Sequence, residues 1–184
     1  MTRDKSNIIL IGMPGSGKST IGILLAKQTR RAFVDTDVLI QTAQGRSLQE
    51  IVDRDGYLVL RKIEEEILLK IDVRDQVIAT GGSAVYSTPA MEHVKTGGVA
   101  VFLQVDLPTL KARVHDYETR GLAKRPDQSL DDLFEERCAL YRKYADITID
   151  CIGLAHDEVC MRIIKELKKG SWKDAGKGTR GSGC

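Results

Sequence analysis

Short apolar runs alternate with segments of helical periodicity along the chain. The first run, Ile8–Ile11, is apolar at every position and ends at Gly12. A continuous apolar run of this length is typical of a strand that is buried on both faces of a parallel sheet. Further strands are predicted at 32–34, 76–80, 99–105 and 147–149. Helical segments separate most of them, so the pattern indicates an α/β fold with helices on both faces of a parallel sheet.

The segments between the strands are predicted to be mainly helical. Ser47 is a candidate N-cap with Glu50 three residues later, the spacing of a capping box. Pro108 can occupy the first turn of a helix, where its missing N–H is no loss. Residues 117–129 are polar and contain Gly121 and Pro126, so a loop is predicted there. The predicted helices are 19–28, 38–43, 48–53, 57–73, one opening at 108, 130–144 and 155–169.

Length and composition are those of one ordinary globular domain, predicted to span 1–169. The 184 residues are 42% apolar and 29% charged, with a net charge of +2. That excess lies in residues 170–184, a Gly-, Lys- and Ser-rich tail that we expect to be disordered. The neutral remainder disfavours nucleic acid and membrane surfaces as partners. The four cysteines form no C-x-x-C pair, which disfavours a zinc site, and Cys138 and Cys160 lie in helical stretches where a free cysteine is usually buried. We therefore expect a reducing, cytoplasmic location.

A glycine-rich segment directly after the first strand carries the strongest chemical signal. Residues 12–19 read Gly-Met-Pro-Gly-Ser-Gly-Lys-Ser, which matches G-x-x-x-x-G-K-[ST] between a strand and a helix. In such a loop, backbone N–H groups and the helix N-terminus face the phosphates of a nucleotide. Lysine reaches the β- and γ-phosphates, and the serine hydroxyl ligates Mg²⁺. The predicted ATP-binding residues of this loop are Gly12, Gly15, Ser16, Gly17, Lys18, Ser19 and Thr20.

Other motifs distinguish among the classes of P-loop protein. A GTPase should carry N-K-x-D, which the sequence lacks, and the D-x-x-G spacing at 53–56 is interpreted as a loop between helices. Asp35 and Asp106 each follow an apolar strand, as a motor-type ATPase would require. However, the chain is small for a motor and lacks further ATPase modules. These observations favour a kinase that acts on a small molecule or a nucleotide.

Several polar groups outside the loop are candidates for the acceptor side of a kinase site. Asp35 and Asp37 follow the second strand, where one could organise Mg²⁺ and the other accept a hydroxyl proton. Arg61 lies one helical turn from Glu64, so Glu64 could hold its guanidinium for an anion, or the two could be a surface pair. The pair Gly81–Gly82 ends the third strand, where it permits close approach by a ligand or simply forms a turn.

Two further arginines complete the candidate set. Arg125 follows Lys124 in the predicted loop, which could close over ATP and bring a guanidinium to the transferred phosphate. A solvated basic turn is the alternative. Arg137 lies on a predicted helix beside Glu135 and Glu136, where a surface charge is the alternative to binding.

In their order and spacing, these elements resemble the shikimate kinase family of nucleoside monophosphate kinase-like P-loop kinases. The resemblance runs from about Asn7 to Leu167 and rests on the P-loop and a series of shorter matches. These matches are Asp35-Thr36-Asp37, Gly45-Arg46-Ser47, Arg61-x-x-Glu64, Gly81-Gly82, Arg125-Pro126, and Arg137 ahead of Leu140-Tyr141 and Ala145-Asp146. It implies a three-layer P-loop kinase fold with a five-stranded parallel sheet in the order 2-3-1-4-5. It further implies transfer of the ATP γ-phosphate to the 3-hydroxyl of shikimate in aromatic amino-acid biosynthesis.

The resemblance also implies a role for individual residues. Asp37 would bind the acceptor hydroxyls and act as base or orienter, with the acceptor-binding region at about 36–63. Arg61 and Arg137 would hold the acceptor carboxylate. Gly81 and Gly82 would also bind the acceptor, and Gly82 would offer its backbone N–H to the ring hydroxyls. Lys18, Asp37 and Arg125 would be the catalytic residues, with Arg125 on a lid at about 117–129. Asp35 would join Ser19 at Mg²⁺, and Arg113 or Arg120 would contact the adenine.

The chain departs from the family pattern on the acceptor side. The departures are Val52, Tyr57, Leu60, Ser83 and Ala139, of which Ser83 stands where the family usually has a third glycine. The retained charges describe an acceptor with vicinal hydroxyls and a carboxylate. We therefore expect a monomeric ATP- and Mg²⁺-dependent kinase of shikimate. The alternatives are a related kinase of another hydroxy acid, such as gluconate, and a regulatory module that binds ATP without transferring phosphate.

Overall fold

The computed structural model describes residues 5–113 and 121–170, and its centre is a parallel sheet. The five strands are β1 (Asn7–Ile11), β2 (Ala32–Asp35), β3 (Gln76–Ala79), β4 (Gly98–Gln104) and β5 (Ile147–Asp150). Their order is β2-β3-β1-β4-β5, with every pairing parallel, which confirms the predicted sheet. All five residues of β1 are buried because β1 is central and helices cover the sheet.

Helices connect the strands and flank the sheet. They are α1 (Lys18–Thr29), α2 (Thr36–Gln44), α3 (Leu48–Asp55), α4 (Tyr57–Lys70), α5 (Thr88–Thr96), α6 (Leu107–Arg113), α7 (Leu130–Tyr144) and α8 (His156–Lys169). The predicted capping box of Ser47 and Glu50 is confirmed at the start of α3. Among residues 5–113 and 121–170, no helix is both long enough and apolar enough to cross a bilayer.

Two predictions about these elements need correction. Residues 53–55, interpreted as a loop, form the last turn of α3, and Gly56 ends that helix. The sequence pattern did not predict α5 or the short 3₁₀ helix Ala84–Tyr86 before it. The start of α5 did carry a local signal, because Ser87 caps it and Pro89 lies in its first turn.

Close packing of α1 on β2 depends on Gly22. A side chain there would collide with the ring of Phe33 in β2, so the absence of a Cβ lets the helix lie directly on the strand. This contact brings the start of α1 to the end of β2, where the polar residues of both elements meet.

A second, smaller apolar cluster lies apart from the main core and supports the acceptor-side elements. It joins α2, α3 and α4 through Ile40, Ile51 and Leu60, and Ala123 from the segment before α7 packs into it. Leu60, one of the departures from the family pattern, is only 4% exposed. Residues 121–129 form no helix, as predicted. The start of the predicted lid at 117–120, including Arg120, and the tail at 171–184, including Cys184, lie outside the described residues.

Candidate active site

The predicted phosphate-binding loop connects β1 to α1 at the carboxyl edge of the sheet. Gly12 has φ +149° and a Cβ there would lie 2.9 Å from the carbonyl oxygen of Leu103, so only glycine fits without strain. The N-cap of α1 is Gly17, so no side chain caps the first N–H groups of this helix. The hydroxyl of Ser16 is buried without a hydrogen-bond partner. The free backbone N–H groups and the orphaned hydroxyl leave hydrogen-bond donors for an anion.

Lys18 folds back over this loop. Its Nζ donates to the carbonyl oxygens of Gly12 at 2.7 Å and Met13 at 2.9 Å. Burial lowers the pKa of Lys18 to about 8, while nearby Asp37 works in the opposite direction. The ammonium group is therefore poorly solvated, which favours its pairing with a phosphate.

Ser19 and Asp35 meet at the contact between α1 and β2. The Ser19 hydroxyl donates to Oδ2 of Asp35 at 2.6 Å. The other carboxylate oxygen, Oδ1, accepts from the backbone N–H of Asp37 and caps α2. These oxygens are of the kind that Mg²⁺ prefers, and Mg²⁺ commonly needs only one or two protein ligands beside the nucleotide phosphates. The pair fits the predicted metal site.

A cavity of about 980 Å³ opens beside the loop. Lys18, Asp37 and Arg137 line it together, and Gly15, Gly17, Ser19, Thr20 and Gly82 also contribute. Arg113 and His156 line the same cavity. Arg113 was one of two candidates for the adenine contact, whereas sequence reasoning missed His156, which carries no motif.

Two carboxyl groups converge near Gly81. A Cβ on Gly81 would collide with Oε1 of Glu64 and lie 2.7 Å from Oδ1 of Asp37, so the missing side chain makes room for both. Burial, followed by the charge of nearby Asp37, raises the pKa of Glu64 to about 7. Burial likewise raises the pKa of Asp37, against the opposing effect of Lys18.

The structure corrects the expected pairing of Arg61 with Glu64. The hydroxyl of Ser83 donates to Oε2 of Glu64 instead, and Oε1 of Glu64 has no partner. The guanidinium of Arg61 lies 3.6 Å from the ring centroid of Tyr86 and 5.1 Å from that of Tyr57. The reason is that Glu64 turns inward to the sheet edge while Arg61 lies on a half-buried face of α4.

The two arginines expected to hold a carboxylate share one acceptor. Nη2 of Arg61 and Nη2 of Arg137 each donate to the carbonyl oxygen of Ala123 at 2.9 Å. Arg137 is 1% exposed, which excludes the surface-charge interpretation. Its Nη1 would lie 2.8 Å from a Cβ on Gly82, so a glycine there gives the guanidinium room. The shared carbonyl shows that both arginines can reach a single oxygen-bearing group.

Arg125 is not brought to the cavity. Its side chain is 53% exposed and lies 3.8 Å from a carboxylate oxygen of Glu136. Gln128 organises this turn, donating to Glu136 at 2.7 Å while its side-chain carbonyl oxygen accepts from the backbone N–H of Arg125. The role predicted for Arg125 at the transferred phosphate stays a prediction.

Comparisons with known proteins agree with the residue pattern. The family model described as shikimate kinase matches residues 14–168. A curated shikimate kinase of Thermodesulfovibrio yellowstonii is 37% identical over 166 residues, covering 89% of this chain and 95% of the relative. A second relative, the shikimate kinase of Aquifex aeolicus, is 36% identical over 143 residues, covering 77% of this chain and 84% of the relative.

Solved structures of shikimate kinases also match this chain. The shikimate kinase of Acinetobacter baumannii, solved in complex with shikimate, superposes with a TM-score of 0.84 at 30% identity, covering 92% of this chain and 96% of that one. The enzyme of Aquifex aeolicus superposes with a TM-score of 0.77 at 33% identity, covering 91% of this chain and 99% of that one. Together with the P-loop at 12–19 and the converging side chains of the cavity, these matches show that the chain belongs to the shikimate kinase family.

Proposed function

We propose that this protein transfers the γ-phosphate of ATP to the 3-hydroxyl of shikimate in aromatic amino-acid biosynthesis. The observation that carries the proposal is the single cavity that Lys18, Asp37 and Arg137 line together. It joins a phosphate-binding loop to a carboxyl group and a buried guanidinium, which are the groups that such a transfer requires. The structure of the Acinetobacter baumannii relative with bound shikimate supports the same acceptor.

The nucleotide half of the site acts by positioning and by charge. Backbone N–H groups of the loop and the hydroxyl of Ser16 would bind the β- and γ-phosphates. Lys18 would exchange its two carbonyl partners for phosphate oxygens. Its positive charge would then stabilise the negative charge that develops on these oxygens during transfer. Because Lys18 is buried, its attraction to the phosphates is weakly screened by water.

Mg²⁺ fits the edge of this half-site. The hydroxyl of Ser19 and Oδ2 of Asp35, which lie 2.6 Å apart, would hold the ion directly or through its water molecules. When bound, the ion supplies charge neutralisation between the β- and γ-phosphates.

The acceptor half would orient one hydroxyl toward the γ-phosphorus. Arg61 and Arg137 would bind the acceptor carboxylate, and Asp37 would accept the proton of the reacting hydroxyl. The bond from the acceptor oxygen to phosphorus forms as the bond from phosphorus to the β–γ bridging oxygen breaks, releasing ADP. Burial favours the protonated form of Asp37, so the carboxyl group can hold that proton after transfer.

Coupled ADP release with Mg²⁺–ATP tests the function. We expect turnover that depends on shikimate, on the order of 1–100 s⁻¹ as in other kinases. Lys18→Ala should abolish it while the melting temperature stays within a few degrees of the parent, whereas near-parental turnover of this variant would refute the P-loop assignment.

Gluconate and quinate, tested in parallel, separate the remaining alternatives. Turnover with either of them but not with shikimate would identify a kinase of another hydroxy acid. Binding of ATP without turnover on any of the three would identify the regulatory module. Asp37 and Arg137 line the cavity and Arg61 meets Arg137 at the carbonyl of Ala123, an arrangement that suits any of these hydroxy acids. The relative solved with bound shikimate is what favours shikimate among them.

A monomeric state and a cytoplasmic location complete the proposal. Cys138, Cys151 and Cys160 are buried and unpaired, as is usual in a reducing compartment. Light scattering on the purified protein tests the oligomeric state, since a monomer requires a mass near 20.4 kDa.

A further inference from the structure

Ser83 makes a contact with the acceptor site that the proposed function does not use. It is 6% exposed, and its hydroxyl donates to Oε2 of Glu64, which is 2% exposed. Both residues line the main cavity. Their contact joins the turn after β3 to the buried face of α4, two segments that reach the cavity from different elements.

The contact leaves the second oxygen of Glu64 in a defined place. Oε1 is buried, makes no hydrogen bond, and points at Gly81 beside Oδ1 of Asp37. A buried carboxylate oxygen without a partner is unfavourable, so a structural role alone does not explain this orientation. If the bond to Ser83 were absent, the side chain could rotate and place either oxygen elsewhere.

We propose that Ser83 is a positioning residue of the acceptor site, whose hydroxyl fixes the Glu64 carboxyl group so that Oε1 stays at Gly81, beside the Asp37 carboxyl group that lines the cavity. Ser83 acts through Glu64 and touches no reacting atom. The proposal rests on the proposed function, because it assigns the cavity next to Asp37 to the acceptor.

The same hydrogen bond affects the protonation of Glu64. The Ser83 hydroxyl stabilises the ionised form and holds the pKa of Glu64 below the value that burial and Asp37 alone would produce. The other charged or ionisable groups facing Glu64 are Lys18 on α1, Arg137 and Tyr141 on α7. None of these three groups forms a hydrogen bond with the Glu64 carboxyl group. Within residues 5–113 and 121–170, Ser83 is therefore the one residue that donates a hydrogen bond to it.

The experiment compares the parent with Ser83→Ala and Ser83→Gly, which both remove the hydroxyl. We expect the KM for shikimate to rise about 3–10-fold in both, with kcat and the KM for ATP changed less than twofold. The acid-side transition in the pH profile of kcat/KM for shikimate should move upward by about one pH unit, a tenfold change in proton affinity. Glu64→Gln should lose the transition that moves in the Ser83 variants and keep the separate one that arises from Asp37, which assigns the moving transition to Glu64.

Ser87→Ala is the matched control. Ser87 lies four residues away and caps α5, so its loss should lower the melting temperature without moving the acid-side transition. Ser83 variants that keep the parental transition and the parental KM for shikimate would overturn the proposal. So would variants that change only stability, as the control does.

A direct titration separates this proposal from the proposed function. The carboxyl signal of Glu64, observed by NMR with ¹³C-labelled glutamate and assigned by its loss in Glu64→Gln, should titrate at higher pH in both Ser83 variants. If the parent protein has no activity on shikimate, the function fails while this titration still tests the contact. If the parent is active and the titration is unchanged, the positioning role fails alone.

Discussion

Replacement of Glu64 by glutamine should stabilise the protein in a pH-dependent way. The pKa of Glu64 rises from 4.5 to about 7 because the carboxyl group is buried and lies near Asp37. The folded protein therefore binds more protons than the unfolded chain between these two values, and the free energy of unfolding falls as pH rises through that window. The amide introduced by Glu64→Gln has no such proton to lose, yet its oxygen could still accept the hydrogen bond of Ser83.

The rise in the pKa of Glu64 gives the size of the change in the free energy of unfolding. About 2.5 pH units at 1.36 kcal/mol per unit correspond to roughly 3 kcal/mol of lost stability at pH 8. For a domain of this size, each kcal/mol moves the melting temperature by about 2–4 °C. At pH 5 the unfolded chain has already lost part of this proton, so the change between pH 5 and pH 8 is about 2.5 kcal/mol, and the advantage of Glu64→Gln over the parent should grow by about 5–10 °C.

Thermal unfolding followed by circular dichroism at both pH values measures this difference. Glu66→Gln, an exposed change on the same helix, serves as the control and should differ from the parent by a constant amount. A difference between Glu64→Gln and the parent that is the same at pH 5 and pH 8 would refute the reasoning, because it would mean that Glu64 ionises in the folded protein as it does in the unfolded chain.

Three further predictions concern the two halves of the site. Tyr86→Leu should raise the KM for shikimate about 3–10-fold, because Arg61 loses the ring on which it stacks, whereas Tyr86→Phe keeps the ring and should stay within twofold of the parent. Steady-state kinetics with shikimate varied distinguishes the two variants. Asp35→Asn should raise the Mg²⁺ concentration for half-maximal activity at least tenfold, and an unchanged Mg²⁺ titration would contradict the assignment of Asp35 to the metal. Gly121→Ala should lower the melting temperature by several degrees, since Gly121 has φ +62° and a Cβ would collide with the backbone of Leu48; an unchanged melting curve would show that the segment adapts.

Local signals in the sequence were sufficient for much of the fold. The apolar run at Ile8–Ile11 and the capping box of Ser47 and Glu50 predict elements that the structure confirms, because each depends only on neighbouring residues. The helix Thr88–Thr96 was missed although its cap is local, since it is short and only three of its residues are buried.

The contacts within the site could not be predicted in the same way. The P-loop motif identifies a nucleotide site from eight consecutive residues. By contrast, the carbonyl of Ala123 that joins Arg61 to Arg137 belongs to a segment 62 residues from Arg61 in the chain. Helical spacing suggested that Glu64 pairs with Arg61, but rotation of α4 on the sheet decides which side chain faces Ser83. Such rotations depend on the packing of the whole domain.

Gly22 shows how a residue without a side chain can determine a distance in the active site. Because position 22 carries no Cβ, α1 lies directly against the ring of Phe33 in β2, and the same helix carries Ser19, whose hydroxyl lies 2.6 Å from Oδ2 of Asp35 at the end of that strand. A larger residue at position 22 should push α1 away from β2 unless the ring of Phe33 shifts, so we expect the Ser19 and Asp35 oxygens to separate although neither residue is substituted. Under the proposed Mg²⁺ site, the residues tolerated at position 22 depend on this distance as well as on folding, so a library screened for stability and one screened for phosphate transfer should select different residues there.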